Sequence, residues 1–342
     1  MKKYSSFFIT NIPSFYKLSL YNEINKHQLV FVLFTGDVIQ ERTNNFFSGR
    51  YEFDYFEMNN LYVFQKVWKT IWFLYTLQYD ELIICGWDTI PLWIASLIGK
   101  KVKNSTVIES SYLESNFTGI RGILKKLYMS RISKVYASGK SQVILARKMG
   151  FKGDNLIVTK GVGVFNYIPQ PQYKRKESIK NFIYVGRLSE EKNLRFLIKF
   201  FNRQPSLNLN IVGYGYQENE LKEMACDNIR FLGTIDNKDL PAVYQNNDVF
   251  ILPSKNEPWG LVVEEALNNG LPVLLSDRVG CAEEILVEGC NGYSFKHDDE
   301  VSLENAIKRI REIETYNTMS KYISMIDFAK IEEEQVKCYL HE

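Results

Sequence analysis

Short apolar runs alternate with longer stretches in which apolar residues recur every three to four positions. A run of four to eight apolar residues closed by a turn residue reads as a buried strand, and a 3.6-residue period reads as a helix. In the first half the strands fall at SSFFIT, LVFVLF, ELIICG, STVIES, KVYAS and NLIVTK. Between them LYVFQKVWKTIWFLYTLQ and IRGILKKLYMSRI read as helices. The stretch FNYIPQPQYKRKESIKN has two prolines, several charges and no period, so it reads as a linker. The pattern then restarts with NFIYVG, LNLNIVG, NIRFLG, DVFILP, PVLLSD and GYSF, each followed by a turn or helix.

Strand–helix alternation of this kind marks parallel α/β architecture. A length of 342 residues suits two such domains. The expected fold is α/β, with two Rossmann-like domains facing across a cleft. The expected division is 1–165, a linker at 166–180, a second domain at 181–325, and a terminal helix at 326–342 crossing back to the first. Ligands of open parallel sheets gather at the carboxyl ends of the strands. Several of these strands end in glycine or serine there, where backbone can approach a ligand closely.

Composition narrows the class. Apolar content of 45% and charged content of 24% are those of a globular chain. The five cysteines are scattered without CxxC spacing, which argues for a reducing compartment and against a disulfide framework or structural zinc. No window holds 18 uncharged apolar residues, and the opening MKKYSSFFITNIPSF reads as a first strand rather than a signal peptide. A cytoplasmic protein is expected. Charge is unevenly spread: residues 1–170 hold 21 Lys and Arg against 12 Asp and Glu, and the remainder holds 21 against 28. A basic half suits an anionic partner such as a membrane surface, and it also suits ordinary solvation of two unlike domains. Lys125, Lys126, Arg131 and Lys134 run among Ile123, Leu124, Leu127, Tyr128 and Ile132. That pattern fits a basic amphipathic helix on a bilayer, or a core helix with a solvated basic edge.

Four segments could carry chemistry. In YVGRLSEEKN a strand ends at Gly186, and Arg187 and Lys192 flank a short loop before a helix. Two cations there can hold a diphosphate, the arginine as a fork and the lysine as a mobile charge. In IVGYGYQENEL, Gly213 and Gly215 form half a dinucleotide fingerprint or a tight turn. In FLGTI, Thr234 and Ile235 follow a strand where backbone groups could read a base edge. In NEPWGLVVEEALNNG, Pro258 suits a helix start and Gly270 its end. The amides of Gly260, Leu261 and Val262 would then favour a phosphate. Glu265 lies about one turn in, where it could accept two ribose hydroxyls, and Glu257 could meet a sugar beyond the phosphates. Read without ligands, Glu257 and Glu264 are acids at a helix N-terminus. The acids of HDDE at 297–300 suit a helix cap better than a metal. There is no D-x-D motif, and no metal is expected.

Taken in order, GRLSEEKN, IVGYG, FLGTI, DVFILPS and EPWGLVVEEALNNGLPVLLSDRVGCAEEI resemble the retaining family-four glycosyltransferases of the GT-B fold. The likeness covers about 181–297 and includes the E-x7-E motif as Glu257 and Glu265. TNIPSFYKLSLYNEI is similar to the opening of the bacterial polysaccharide transferases of capsule and O-antigen or lipopolysaccharide assembly. The resemblance implies a nucleoside-diphosphate sugar as donor substrate and no other cofactor. It implies catalytic roles for Arg187, Lys192 and Glu257. Gly186, Gly213, Gly215, Thr234, Ile235, Trp259, Gly260, Leu261, Val262 and Glu265 would bind the donor. A glycan acceptor, lipid-linked, would sit on the first domain, with peripheral contact to the inner face of the membrane and no nucleic acid. The chain departs from the family pattern in two places. The loop NIPSFYKLS lacks glycine, and none of His27, His297 and His341 matches the first-domain histidine of relatives. Tyr16, Trp87, Asp88 and Glu109 are the candidates for that space. The competing readings are a nucleotide-sugar epimerase of the same fold and a non-catalytic partner subunit.

Overall fold

A computed structural model of the protein describes residues 2–36, 47, 49–112, 115, 119–163 and 170–341. The chain divides into two compact units, Met1–Asn166 with Lys330–Glu342, and Tyr167–Ala329. Residues 166–169 of the expected linker lie outside the described residues, and 170–180 carry no helix or strand.

The first unit is a seven-stranded sheet built from β1 (Lys3–Thr10), β2 (Val30–Phe34), β3 (Asp54–Glu57), β4 (Gln78–Cys85), β5 (Asn104–Ile108), β6 (Lys134–Ala137) and β7 (Leu156–Val158). The strand order is β3-β2-β1-β4-β5-β6-β7, and each pairing is parallel. Its helices are α1 (Phe15–Asn25), α2 (Val63–Thr76), α3 (Ile90–Ile98), α4 (Gly119–Ser130) and α5 (Lys140–Lys148). Side chains alternate along β1. Phe7 and Ile9 join the core beneath α2–α5, which supply Phe73, Leu92, Tyr128 and Leu145. Phe8 points the other way, to a core shared with Leu18 and Tyr21 of α1. Val336, from the terminal helix α13 (Phe328–Lys337), packs into that same core. Strand β3 was not anticipated, because YEFDYFE puts polar residues on a half-exposed edge where no clean apolar run can form.

The second unit contains β8 (Asn181–Val185), α6 (Leu194–Asn202), β9 (Asn208–Val212), α7 (Glu218–Met224), β10 (Ile229–Gly233), α8 (Leu240–Gln245), β11 (Val249–Leu252), α9 (Leu261–Asn268), β12 (Val273–Ser276), α10 (Ala282–Ile285), β13 (Gly292–Phe295), α11 (Glu300–Ile310) and α12 (Ile313–Ile323). Its sheet runs β10-β9-β8-β11-β12-β13, all parallel. That is the doubly wound order in which the first strand and the fourth lie side by side. Every residue of β11 and β12 is buried, as expected of central parallel strands covered on both faces. The order reverses between β8 and β11, and a crevice at their carboxyl ends is where such sheets take ligands.

Candidate donor site

The β8/β11 switch point brings Lys192, after β8, to Glu257, after β11. After β8 the chain turns at Gly186, with φ of +155°. Arg187 follows and pairs with Glu191 at 3.0 Å. Lys192 reaches across to Glu257, which stands after β11. Both side chains of that pair are almost buried, at 12% and 11% exposure, and Ser254 Oγ lies 3.3 Å from the same carboxylate. A nearly dry Lys–Glu pair is held by geometry and costs much when one partner is removed.

Asn193 makes this loop rigid. It adopts a left-handed conformation, with φ of +59°. Its side-chain amide donates to the carbonyls of Pro253 at 3.1 Å and His297 at 2.8 Å. Three loops are thereby tied at one residue.

The glycines interlock the next pair of loops. A Cβ on Gly213 would lie 1.8 Å from the Gly186 carbonyl oxygen, and one on Gly215 would lie 2.3 Å from that of Leu188. These two residues therefore seat the Gly186–Leu188 loop through their backbones. Thr234 is exposed and Ile235 half-buried just beyond β10.

The E-x7-E stretch is folded against residues 277–281. Glu257 bridges Val279, and the amides of Gly280 and Cys281 donate to the carbonyls of Glu257 and Trp259 at 2.8 and 2.9 Å. Gly260 is left-handed, with φ of +104°, and caps α9. The first amides of a helix have no intrahelical partner, so those of Leu261 and Val262 are left without one inside α9. Trp259 is 3% exposed, and its indole N–H donates to Glu264 at 3.1 Å. A ring of that size gains most by burial, and its N–H then needs an internal acceptor.

Glu264 and Glu265 are not simple helix acids. Burial pushes the Glu264 carboxyl up to about 8. Burial raises Glu265 to about 6, against a lowering hydrogen bond from Tyr244 at 3.1 Å. Sequence reasoning missed Tyr244, which reaches Glu265 from the last turn of α8. It missed Asn193 as well. Asp299 caps α11, accepting from the amides of Val301 and Ser302 at 2.9 and 3.0 Å. His297 faces Asp277 at 2.9 Å. No cluster of three metal-ligating side chains occurs among the described residues.

In the first unit the corresponding switch point lies between β1 and β4. There the sequence missed a cation. Lys17, buried in the first turn of α1, pairs with Glu109 at 3.1 Å. Burial alone would lower its pKa, but Glu109 facing it holds the ammonium above its ordinary range. Cys85 lies beside Tyr21 at 3.7 Å, and burial raises its thiol to about 11. Tyr16 is half-buried, and Asp88 is exposed. Trp87 packs edge-on against Tyr128 in the core, so most of its ring serves packing. The three histidines lie elsewhere. His341 bonds to Glu81, midway along β4. No helix among the described residues is long and apolar enough to cross a membrane.

Two doubly wound parallel units joined in this order define the GT-B fold. The structure aligns with Anabaena HepE, solved with UDP and glucose, at a TM-score of 0.70 and 16% identity over 96% of this chain and 97% of that one. Residues 169–324, nearly all of the second unit, match the family described as "Glycosyl transferases group 1". The chain is 34% identical over 142 residues to the O-antigen biosynthesis glycosyltransferase WbnH of Escherichia coli, covering 41% of this chain and 40% of that protein. It is 33% identical over 135 residues to the sulfoquinovosyl transferase SQD2 of Arabidopsis thaliana, covering 38% of this chain and 26% of that protein. These alignments therefore span well under two thirds of the curated relatives.

Proposed function

We propose that this chain is a retaining glycosyltransferase acting in cell-surface polysaccharide assembly. It moves a sugar from a nucleoside-diphosphate donor to a glycan acceptor carried on a lipid. The observation that carries this reading is the Lys192–Glu257 pair at the β8/β11 switch point, beside Arg187 and the N-terminus of α9. The O-antigen role in the name of WbnH supports the pathway, and the UDP in HepE makes UDP the first nucleotide to test.

Glycosyl transfer passes through an oxocarbenium-like state while charge builds on the leaving diphosphate. Arg187, Lys192 and the first amides of α9 are fixed before the reaction and stabilise that charge. The bond from the anomeric carbon to the diphosphate oxygen breaks, and the bond to the acceptor oxygen forms on the same face. The acceptor proton passes to the leaving phosphate, which gives retention without a protein nucleophile. Glu257 positions Lys192 and meets the donor sugar, and Glu265 accepts the ribose hydroxyls. In this reading the protein's own cations supply the charge, and turnover persists in EDTA. The first unit binds the acceptor near Lys17 and Glu109.

The test is calorimetric titration of UDP, GDP and ADP into the wild-type chain and Glu265→Ala. One nucleotide should bind and weaken in the variant. Binding of none, or equal binding to both proteins, would overturn the assignment.

A further inference from the structure

Amphipathic helices normally turn their apolar stripe to the core. Helix α4 does not. Ile120, Ile123, Leu124 and Leu127 stand at helical spacing on its outer side, with Ile123 67% exposed, while Tyr128 and Met129 fill the core. Helix α2 repeats the feature with aromatic rings. Phe64, Trp68, Trp72 and Tyr75 form one outward stripe, with Phe64 at 70% and Trp68 at 68% exposure. Helix α3 lies in contact with both and exposes Ile90, Leu97 and Ile98. A single apolar residue at a surface needs no explanation, but an outward stripe on each of three adjoining helices does.

The charge carried by α2 and α4 themselves is of one sign. Residues 58–79, 89–108 and 119–153 contain no Asp or Glu. They contain eleven Lys and three Arg. Arg121 and Lys126 flank the α4 stripe and are exposed, as are Lys100 and Lys101 after α3. Lys69 holds its ammonium 5.3 Å from the Trp72 ring.

We propose that the outer face of α2, α3 and α4 docks onto an anionic bilayer, with its aliphatic and aromatic side chains entering the headgroup region. Trp and Tyr settle at that depth because one end is apolar and the other polar. Lysines suit a diffuse anionic surface, reaching headgroups on long apolar stems, whereas protein interfaces are depleted of lysine. A second copy of this chain is a poor occupant, because a two-fold contact would set cations against cations. The proposal stands apart from the transfer chemistry of the second unit. If both hold, the acceptor site is carried to the surface where lipid-linked glycans reside.

The full chain would be sedimented with vesicles of phosphatidylcholine alone and with equal parts phosphatidylglycerol, at low and high salt. The wild type should pellet with the anionic vesicles and release as salt rises. Phe64→Ser/Trp68→Ser should weaken that binding roughly tenfold or more, from lost burial of two large side chains. Arg121→Glu/Lys126→Glu should weaken it comparably, and more at low salt. Melting temperature and UDP affinity should be unchanged in both variants. UDP affinity separates this proposal from the donor-site reading, since either can fail alone. A wild type that ignores anionic vesicles, or variants that pellet like it, would overturn the proposal. So would a wild-type dimer that Phe64→Ser/Trp68→Ser splits, or retention on an acidic polypeptide by a wild type that does not pellet.

Discussion

Both units place a lysine–glutamate pair at the carboxyl edge of a parallel sheet, and the two pairs are set differently. In the second unit Lys192 and Glu257 come from loops on either side of the switch point, both nearly dry. In the first, Lys17 is buried in α1 while Glu109 keeps 30% exposure. The second edge is built from glycine turns locked to one another, and the first is closed by NIPSFYKLS, which has none. The second also gathers Glu264 and Glu265 around α9 with raised pKa values. A tight, titratable edge suits a ligand that carries its own charge and must be met by fixed groups. A looser edge suits a neutral, hydroxyl-rich ligand.

Four measurements bear on that contrast. The largest expected effect is on stability. The Glu264 carboxyl rises from an ordinary 4.5 to about 8 in the fold, so the fold prefers its neutral form. Stability from this site is full below about pH 4.5 and is lost as pH climbs toward 8. Glu264→Gln should therefore stabilise the protein at pH 8 by up to about 5 kcal/mol and leave it unchanged near pH 4, by urea unfolding. An equal gain at both pH values would show that the carboxyl does not titrate in this range.

Next comes Lys192→Ala, which should lower kcat on the order of a hundredfold or more, with Arg187→Ala in the same range. Near-normal turnover in either would remove the charge-stabilising role of this edge. Lys17→Met should raise the acceptor KM roughly tenfold, the worth of one charged hydrogen bond, and leave UDP affinity alone. A change in UDP affinity instead would erase the division of labour between the edges. The smallest effect is expected from Tyr244→Phe. UDP affinity should rise with pH through about 6 as Glu265 ionises. Without the Tyr244 hydroxyl, which favours the carboxylate, that midpoint should move upward by less than about one unit. A midpoint that stays put would take Tyr244 out of the site.

Much of this could be read from the chain alone. The strand runs were legible because central parallel strands are apolar on both faces, and Pro258 and Gly270 bracketed α9, which carries Glu265. Arg187 and Lys192 were legible because a strand end and a helix start bracket them. Tyr244 was not, because its partner lies 21 residues away and nothing local marks the contact. Lys17 looked like any surface lysine on a first helical turn, and only the fold brings Glu109 to it. The α4 pattern announced two faces, but periodicity does not say which face meets the core.

The seating of Gly213 against Gly186 also limits how this protein can change. A methyl group at 213 would collide with a neighbouring carbonyl, and Gly215 is fitted to Leu188 in the same way. Substitutions in one loop are thus felt in the other, and their effects will not add. Single substitutions at Gly213 or Gly215 are expected to be destabilising. Productive routes will change paired positions together, so the history of such a site is expected to run through coupled steps.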